Sequence, residues 1–547
     1  MSAATPAGAQ NVSIRFNSVD SPYERYVSAR AADLLGEPDR AAELYADWLA
    51  SGASMDGELE DKAVRSAIAA GRFDIARSIA GQSAAPEALG LDMRLLMLGD
   101  ALREANYGRA LEVLVDPESE VDLSFIEPFV RGWIDAETRS REHATRAARR
   151  LAAIAENRPL SRQAPEQAAL LALAAGDAAF AIPRIDEALA RSGPRETHLR
   201  MAFAERLEAL GRPDIVDSLL NGDNPIRKDA RARLAAGEPI GQAVTHPAEA
   251  YAELLLAIAI DIARSGGGSD MPILLAQVAR ATAPDSASAA IVTGALLENG
   301  ERTDQAIDLY AAVPRQSPLA PQASDSLAQA LISVGRVEEA ITLATEAARE
   351  LGAGASIFAR LGDTLTAAER HEEAADAYAK ARGLSGDPDW QLLFLEASAR
   401  FEAGDWPAAR SLFQSALALR PQEPLILNFL GYAMLENGEE TGLASALIRK
   451  ASTLAPDSPN ITDSLGWALY KTGDADGALE ALERASRQAP ADPEIHEHYG
   501  DVLYAAGRRI EARFAWEAAL TYAEKPRAIE RMRDKLIVGL TSANASP

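Results

Sequence analysis

Six alanines recur down the second half of this 547-residue chain: Ala340, Ala374, Ala409, Ala444, Ala478 and Ala512. The steps between them are 34, 35, 35, 34 and 34 residues. A period in this range marks a helical solenoid, in which each unit is one supersecondary element that buries its apolar face against its neighbours. Such stacking also removes the usual limit on how large one core can grow. It biases function toward holding other molecules, because stacked repeats present long concave surfaces.

Composition agrees with a chain built from helices. Hydrophobic residues make up 48% of it but aromatic residues only 5%. Alanine and leucine are strong helix formers, and small side chains let helices approach closely. Strand-like alternation of β-branched residues is nearly absent, so the reading is all-α. The net charge of −26 argues against a nucleic-acid partner, which needs a basic surface to displace counterions. That charge reads either as solubility or as an acidic groove for a basic partner. The chain has no cysteine, which removes disulfides, thiolate metal sites and cysteine nucleophiles. No apolar run approaches the ~20 residues that span a bilayer. Ala7-Gly8-Ala9 before Gln10 has the small-x-small form of a signal-peptidase site. It reads as the tail of an export signal or as a flexible polar terminus.

The clearest unit runs from Pro459 to Ala489. Its first helix carries Leu465-Gly466-Trp467-Ala468 and ends near Gly473; its second carries Ala478, Leu482 and Ala485, and Pro490 follows. Gly466 and Ala485 are small where the two helices should cross, Gly473 suits a left-handed turn, and Pro490 stands where a helix cannot continue. The pattern recurs with Gly500, Gly507, Ala512, Trp516 and Ala519, and with Ala397, Gly404, Ala409, Phe413, Ala416 and Pro421. Gly362, Ala374, Tyr378 and Ala381 repeat it with Glu369 in place of the turn glycine. The turns after Gly438 and Gly300 each read as one residue longer.

The N-terminal half keeps the period more loosely, through Gly36 with Ala41, Gly71 with Ala76, Ala105 with Ala110, Gly176 with Ala181 and Gly211 with Val216. From Val216 to Ala306 no whole number of units fits. Residues 221–246 are rich in Gly, Pro and charge, and Ser265-Gly266-Gly267-Gly268-Ser269 joins two further helices. That glycine run lacks the Lys-Ser/Thr of a phosphate loop and reads as a connector. The expected organisation is a flexible terminus over 1–20, degenerate repeats over 21–220, an irregular junction and helix pair over 221–284, and regular repeats over 285–525. A capping helix and a disordered tail then fill 526–547. In the cap, Ile529, Met532, Leu536 and Leu540 share one face, while Arg527, Glu530, Arg531, Asp534 and Lys535 are free to face water.

The small–turn–Ala–aromatic–Ala–Pro pattern resembles the tetratricopeptide repeat, a 34-residue helix-turn-helix. The segments Asp463-Ser464-Leu465-Gly466-Trp467-Ala468-Leu469-Tyr470 and Tyr499 to Trp516 look like the closing repeats of exported multi-repeat proteins of alphaproteobacteria. The resemblance implies an all-α, right-handed superhelical solenoid of about 14 antiparallel helix pairs with a C-terminal capping helix. It also implies protein–protein interaction and a periplasmic or envelope-associated location, with the cytoplasm as the alternative.

No catalytic constellation stands out, and neither a cofactor nor a metal site is expected. The six histidines form no His-Glu-x-x-His motif, and His496 and His498 lie two apart, on different faces of a helix. Nucleophile-elbow and Walker motifs are lacking, so the chain reads as non-catalytic. The resemblance places groove-facing residues near Gly431, Gly466 and Gly500. They are Asn428, Tyr432 and Leu435, then Asp463, Trp467, Tyr470 and Lys471, then Glu497, Asp501 and Tyr504. Acids beside aromatics suit a protein or peptide partner with a basic or amphipathic segment. Alternatively, Trp467 and the tyrosines pack between repeats. Two functions stay open: a scaffold holding an extended partner, and a regulatory or assembly subunit of an envelope polysaccharide or cell-wall enzyme.

Overall fold

The computed structural model describes residues 22–50, 57–82, 89–116, 121–154, 160–222, 224–266, 270–349, 353–386, 388–523, 525–541 and 544–546. Residues 7–10 of the export motif and 267–269 of the glycine run therefore lie outside the described residues. Every regular element among the described residues is helical. The chain divides into two compact units, Met1–Val334 and Gly335–Pro547.

Within the C-terminal unit the local chemistry of one repeat explains the rest. Ser458 caps the Pro459–Lys471 helix by accepting the Ile461 N–H, and Pro459 starts it where no donor is needed. The helix stops at Gly473, whose φ of +88° is costly for residues with a Cβ. There the Gly473 N–H donates to the Tyr470 carbonyl and the Asp474 N–H to the Leu469 carbonyl, satisfying the last turn. The Asp474 carboxylate then caps the returning helix, Ala475–Gln488.

The two helices cross closely. A Cβ at Gly466 would stand 2.6 Å from Leu482 Cγ and 3.3 Å from the Ala478 carbonyl oxygen. Ala478, Leu482 and Ala485 are fully buried. The same fit pairs Gly431 with Ile448, Gly500 with Trp516 and Gly362 with Tyr378. In each case the missing side chain on the first helix makes room for a large one on the second.

One turn differs from expectation. Gly300 is not the turn residue, since its φ is −95°; Glu301 takes the left-handed position at φ +60°, five residues before Ala306. The spacing there is thus regular, as it is at Glu369 with φ +59° before Ala374. Both Glu301 and Glu369 are exposed, and a single residue in that conformation costs of order 1–3 kcal/mol. The turn before Ala444 does hold an extra residue, Glu440, at φ +26°.

The N-terminal unit does not behave as a simple row of nearest neighbours. The Pro247–Arg264 and Met271–Thr282 helices, expected as part of an irregular junction, pack back onto Gly57–Ala69, Leu91–Arg103 and Glu127–Thr138. Tyr251 donates its hydroxyl to the Leu95 carbonyl at 3.1 Å, and the Gln277 amide donates to the Ala69 carbonyl at 3.1 Å. Both bonds are buried, so these helices are core rather than linker. Their near-continuous apolar sequence, Tyr251 to Ile260 and Ile273 to Ala281, is what a helix covered on several sides requires.

Replacing Ala478 with Leu should overfill this crossing and cost ~1–3 kcal/mol. Urea denaturation followed by circular dichroism should show a lower midpoint at an unchanged slope.

Candidate interaction groove

The first helices of successive repeats in the C-terminal unit, Trp390–Glu402, Pro424–Glu436, Pro459–Lys471 and Pro493–Ala505, stand side by side, and Pro526–Val538 follows in the same register. The positions four and three before, one after and four after the small residue were expected to face a groove. Most of them instead lie between neighbouring first helices. Asn428, Asp463 and Glu497 are 6%, 6% and 4% exposed, and Leu435, Trp467 and Asp501 are buried with them.

Asp463, Trp467, Glu497 and Asp501 are each engaged by a neighbouring repeat or by the last helix. The Asp463 carboxylate meets His498 Nδ1 at 2.8 Å. Trp467 stacks on the His498 ring at 4.5 Å and donates its indole N–H to Glu436 at 2.9 Å. The packing role for Trp467 is therefore what the structure shows. Burial alone would lower the His498 pKa, but the Asp463 carboxylate, helped by Glu494 and Glu497, raises it to about 9. His498 is thus an imidazolium at neutral pH, held between a carboxylate and an aromatic face.

Glu497 and Asp501 are the largest correction. They do not await a basic partner, because the chain supplies its own. Arg531 makes two bonds to the Glu497 carboxylate, at 2.6 and 2.7 Å. Lys535 is fully buried and donates to Glu497 at 2.6 Å, Asp501 at 2.8 Å and Ser546 at 3.1 Å. Against the desolvation that burial imposes, Arg531 and Lys535 hold the Glu497 carboxyl below its ordinary range. Arg531 and Lys535 were expected to face water. They turn inward because two buried carboxylates would otherwise be unpaired, which is far more costly than burying the cations beside them. Met532, Leu536 and Leu540 do form the expected apolar face, against Trp516 and Leu503. The described end of the chain is also not a free tail: the Ser546 N–H and hydroxyl donate to Asp501, and the Asn544 amide donates to the Gly539 carbonyl.

What stays open lies one helical turn further along. A cleft of about 770 Å³ is lined by Phe401, Glu402, Tyr432, Glu436, Glu494 and Tyr522, with Arg531 and Met532 in its wall. Of the expected groove residues only Tyr432 and Glu497 line it. Tyr470 and Tyr504 are half-buried, and the exposed Lys471 lies 4.7 Å over the Trp467 ring with Glu436 3.8 Å away. Glu402 and Glu436 were missed by the sequence reading. Both stand five residues after the small position, Ala397 and Gly431, so continuing the helical phase by one turn would have found them.

The cleft is electrostatically negative. Burial, then the carboxylates of Glu436, Glu494, Asp463 and Glu402, push the Tyr432 phenol well above its usual range. Glu494 has an accessible side chain but stands inside the concavity. Desolvation there, with Asp463, Asp492 and Glu497 nearby, raises its pKa against the pull of His498. No group of His, Cys, Asp or Glu placed to hold a metal ion occurs among the described residues.

Two outcomes test this account. Lys535→Ala should destabilise the C-terminal unit by about 3–5 kcal/mol, as leaving buried charge uncompensated does, measured by chemical denaturation. His498, whose pKa rises on folding, contributes stability that is complete below its unfolded value of 6.5 and is lost as pH rises through about 9. The denaturation midpoint should accordingly fall across that window in the native chain, and His498→Gln should remove that part of the slope.

Residues 379–525 and 326–388 match family models of the tetratricopeptide repeat. No curated protein matches the chain significantly. Among solved structures, the chain is similar to MamA from Desulfovibrio magneticus RS-1, with 19% identity over 32% of this chain and 97% of that one, at a TM-score of 0.27. It is also similar to PilF of Pseudomonas aeruginosa, with 18% identity over 35% of this chain and 84% of that one, at a TM-score of 0.29. A tetratricopeptide repeat protein from Parabacteroides merdae shows 12% identity over 46% of this chain and 98% of that one, at a TM-score of 0.38. Residues 326–525, with their glycine-to-large-residue helix crossings, are thus tetratricopeptide repeats.

Proposed function

We propose that the protein is an interaction scaffold whose C-terminal unit holds an extended protein segment carrying lysine or arginine. The observation that carries this reading is the open cleft, where Glu402, Glu436 and Glu494 stand beside Phe401, Tyr432 and Tyr522. A cation on an extended chain gains charge pairing with the carboxylates and contact with the aromatic faces. The chain itself uses that chemistry at the cleft edge, where Lys471 lies over Trp467 beside Glu436. The acids first expected to do this, Asp463, Glu497 and Asp501, serve the stacking of repeats instead. We further propose a bacterial envelope location, supported by the resemblance of residues 463–470 and 499–516 to exported repeat proteins.

The test uses fluorescein-labelled peptides of equal length, one lysine- and arginine-rich and one glutamate-rich, read by anisotropy on the full chain. The basic peptide should bind roughly tenfold or more tightly and weaken with salt. Glu402→Lys with Glu494→Lys should abolish that preference. Both side chains are exposed, so the stability change should stay within ~0.5 kcal/mol each. Equal affinity for both peptides, or an unchanged preference in the double variant, would overturn the reading.

A further inference from the structure

The last two helices, Arg509–Tyr522 and Pro526–Val538, carry an apolar surface that repeat stacking does not explain. Ile510, Phe514, Ile537 and Val538 are 74%, 67%, 75% and 63% exposed. The next large apolar side chain among the described residues of the C-terminal unit, Leu443, is 47% exposed, so these four stand apart.

The repeat phase shows that Ile510 and Phe514 are particular to the last repeat. They stand two residues before and two after the buried Ala512, on the far side of the helix from its crossing. In the other five units neither place holds a large apolar residue. Glu372 with Asp376, Gly442 with Ala446 and Asp476 with Glu480 are the equivalents in three of them. A solvent-facing place that turns large and apolar in one unit alone marks a contact other than stacking.

The fold brings the two apolar helix ends together. Arg509 lies 5.5 Å over the Tyr504 ring, and Gly539 packs directly against the Tyr504 hydroxyl. The start of one helix and the end of the other therefore adjoin, with Ile510 next to Arg509 and Val538 next to Gly539 in sequence. The acidic cleft is reached by Tyr522, Lys525 and Ala528, at the opposite ends of these helices.

Four large side chains so exposed offer on the order of 500 Å² of apolar surface, and two such patches about 1,000 Å² between them, enough for a specific interface. The flanking charges indicate what covers the patch. Arg513 and Glu517 are exposed, share the helix face of Phe514 and are paired with no other described residue. When two copies of this helix meet antiparallel about a two-fold axis, Arg513 of each copy reaches Glu517 of the other and the two Phe514 rings lie beside the axis. An unrelated partner would have to present both charges in that order, whereas a second copy presents them by symmetry. We propose that this patch is the interface of a homodimer of the chain, which leaves the acidic cleft of each copy open.

Sedimentation equilibrium of the full chain at micromolar concentration should show a dimer. Ile510→Ser and Phe514→Ser should each weaken it roughly tenfold or more, with native circular dichroism because both side chains are exposed. Arg513→Glu or Glu517→Arg alone sets like charges across the axis and should weaken the dimer, and the two changes together should restore it. Leu443→Ser, elsewhere on the same unit, should leave the dimer intact. A native chain still monomeric at ~100 µM, undiminished dimer in a folded Ile510→Ser or Phe514→Ser variant, or a charge-swapped chain no tighter than either single variant would each overturn the proposal.

Discussion

The C-terminal unit depends on one steric condition, that two helices cross with almost no space between their backbones. At Gly466 a single added carbon would stand 2.6 Å from Leu482, and at Gly500 it would stand 2.4 Å from Trp516. Dispersion and apolar burial reward such close approach only when it is gapless, so the small residue on one helix and the large one on the other act as a pair. The large partner varies freely among Leu, Ile, Tyr and Trp because it fills the same space from different directions. Turn glycines and helix caps then bring each pair to the same angle, and the angle repeats along the unit.

Stacking one pair on the next uses polar chemistry more than the apolar pattern suggests. Asp463 with His498, Trp467 with Glu436 and Glu497 with Arg531 each join residues 31 to 35 apart. The last helix continues this series. Its Lys535 and Arg531 stand where another repeat would supply partners, so the acidic face of the closing repeat is neutralised from within. Asp534 takes the place in the cap that Gly500 and Gly466 hold in the repeats before it. A side chain there prevents a further helix from crossing closely, which suits an end piece.

The N-terminal unit solves a different problem. Gly294 and Tyr310 repeat the glycine-to-large-residue crossing there, while residues 156 and 208 apart in sequence are joined by the Tyr251–Leu95 and Gln277–Ala69 bonds. Where the period fails, the pairing of buried Arg195 with Glu166 and Glu253, and the Glu205 carboxylate that accepts the N–H groups of residues 240–243, take over the task of fixing the chain. Such buried networks specify one arrangement because any misplacement leaves a charge or donor unpaired.

The sequence by itself determined the all-α class, the repeat and its phase, the capping helix and the small residues at the crossings. These are local or strictly periodic, so spacing alone carries them. It also located Tyr432 in the cleft. Only the tertiary structure decided which polar residues face water. Asp463, Glu497 and Asp501 share a helical phase with exposed groove positions in the repeat pattern, and spacing cannot reveal that His498, Arg531 and Lys535 arrive from the next element to claim them. Glu402 and Glu436 line the cleft, where Glu436 is met by the Trp467 indole N–H and by Lys471 at the edge. The same reason hid the Arg195 network, whose partners lie 29 and 58 residues away at no repeating interval. Periodicity encodes where backbones go, whereas the pairing of charges depends on which backbones meet.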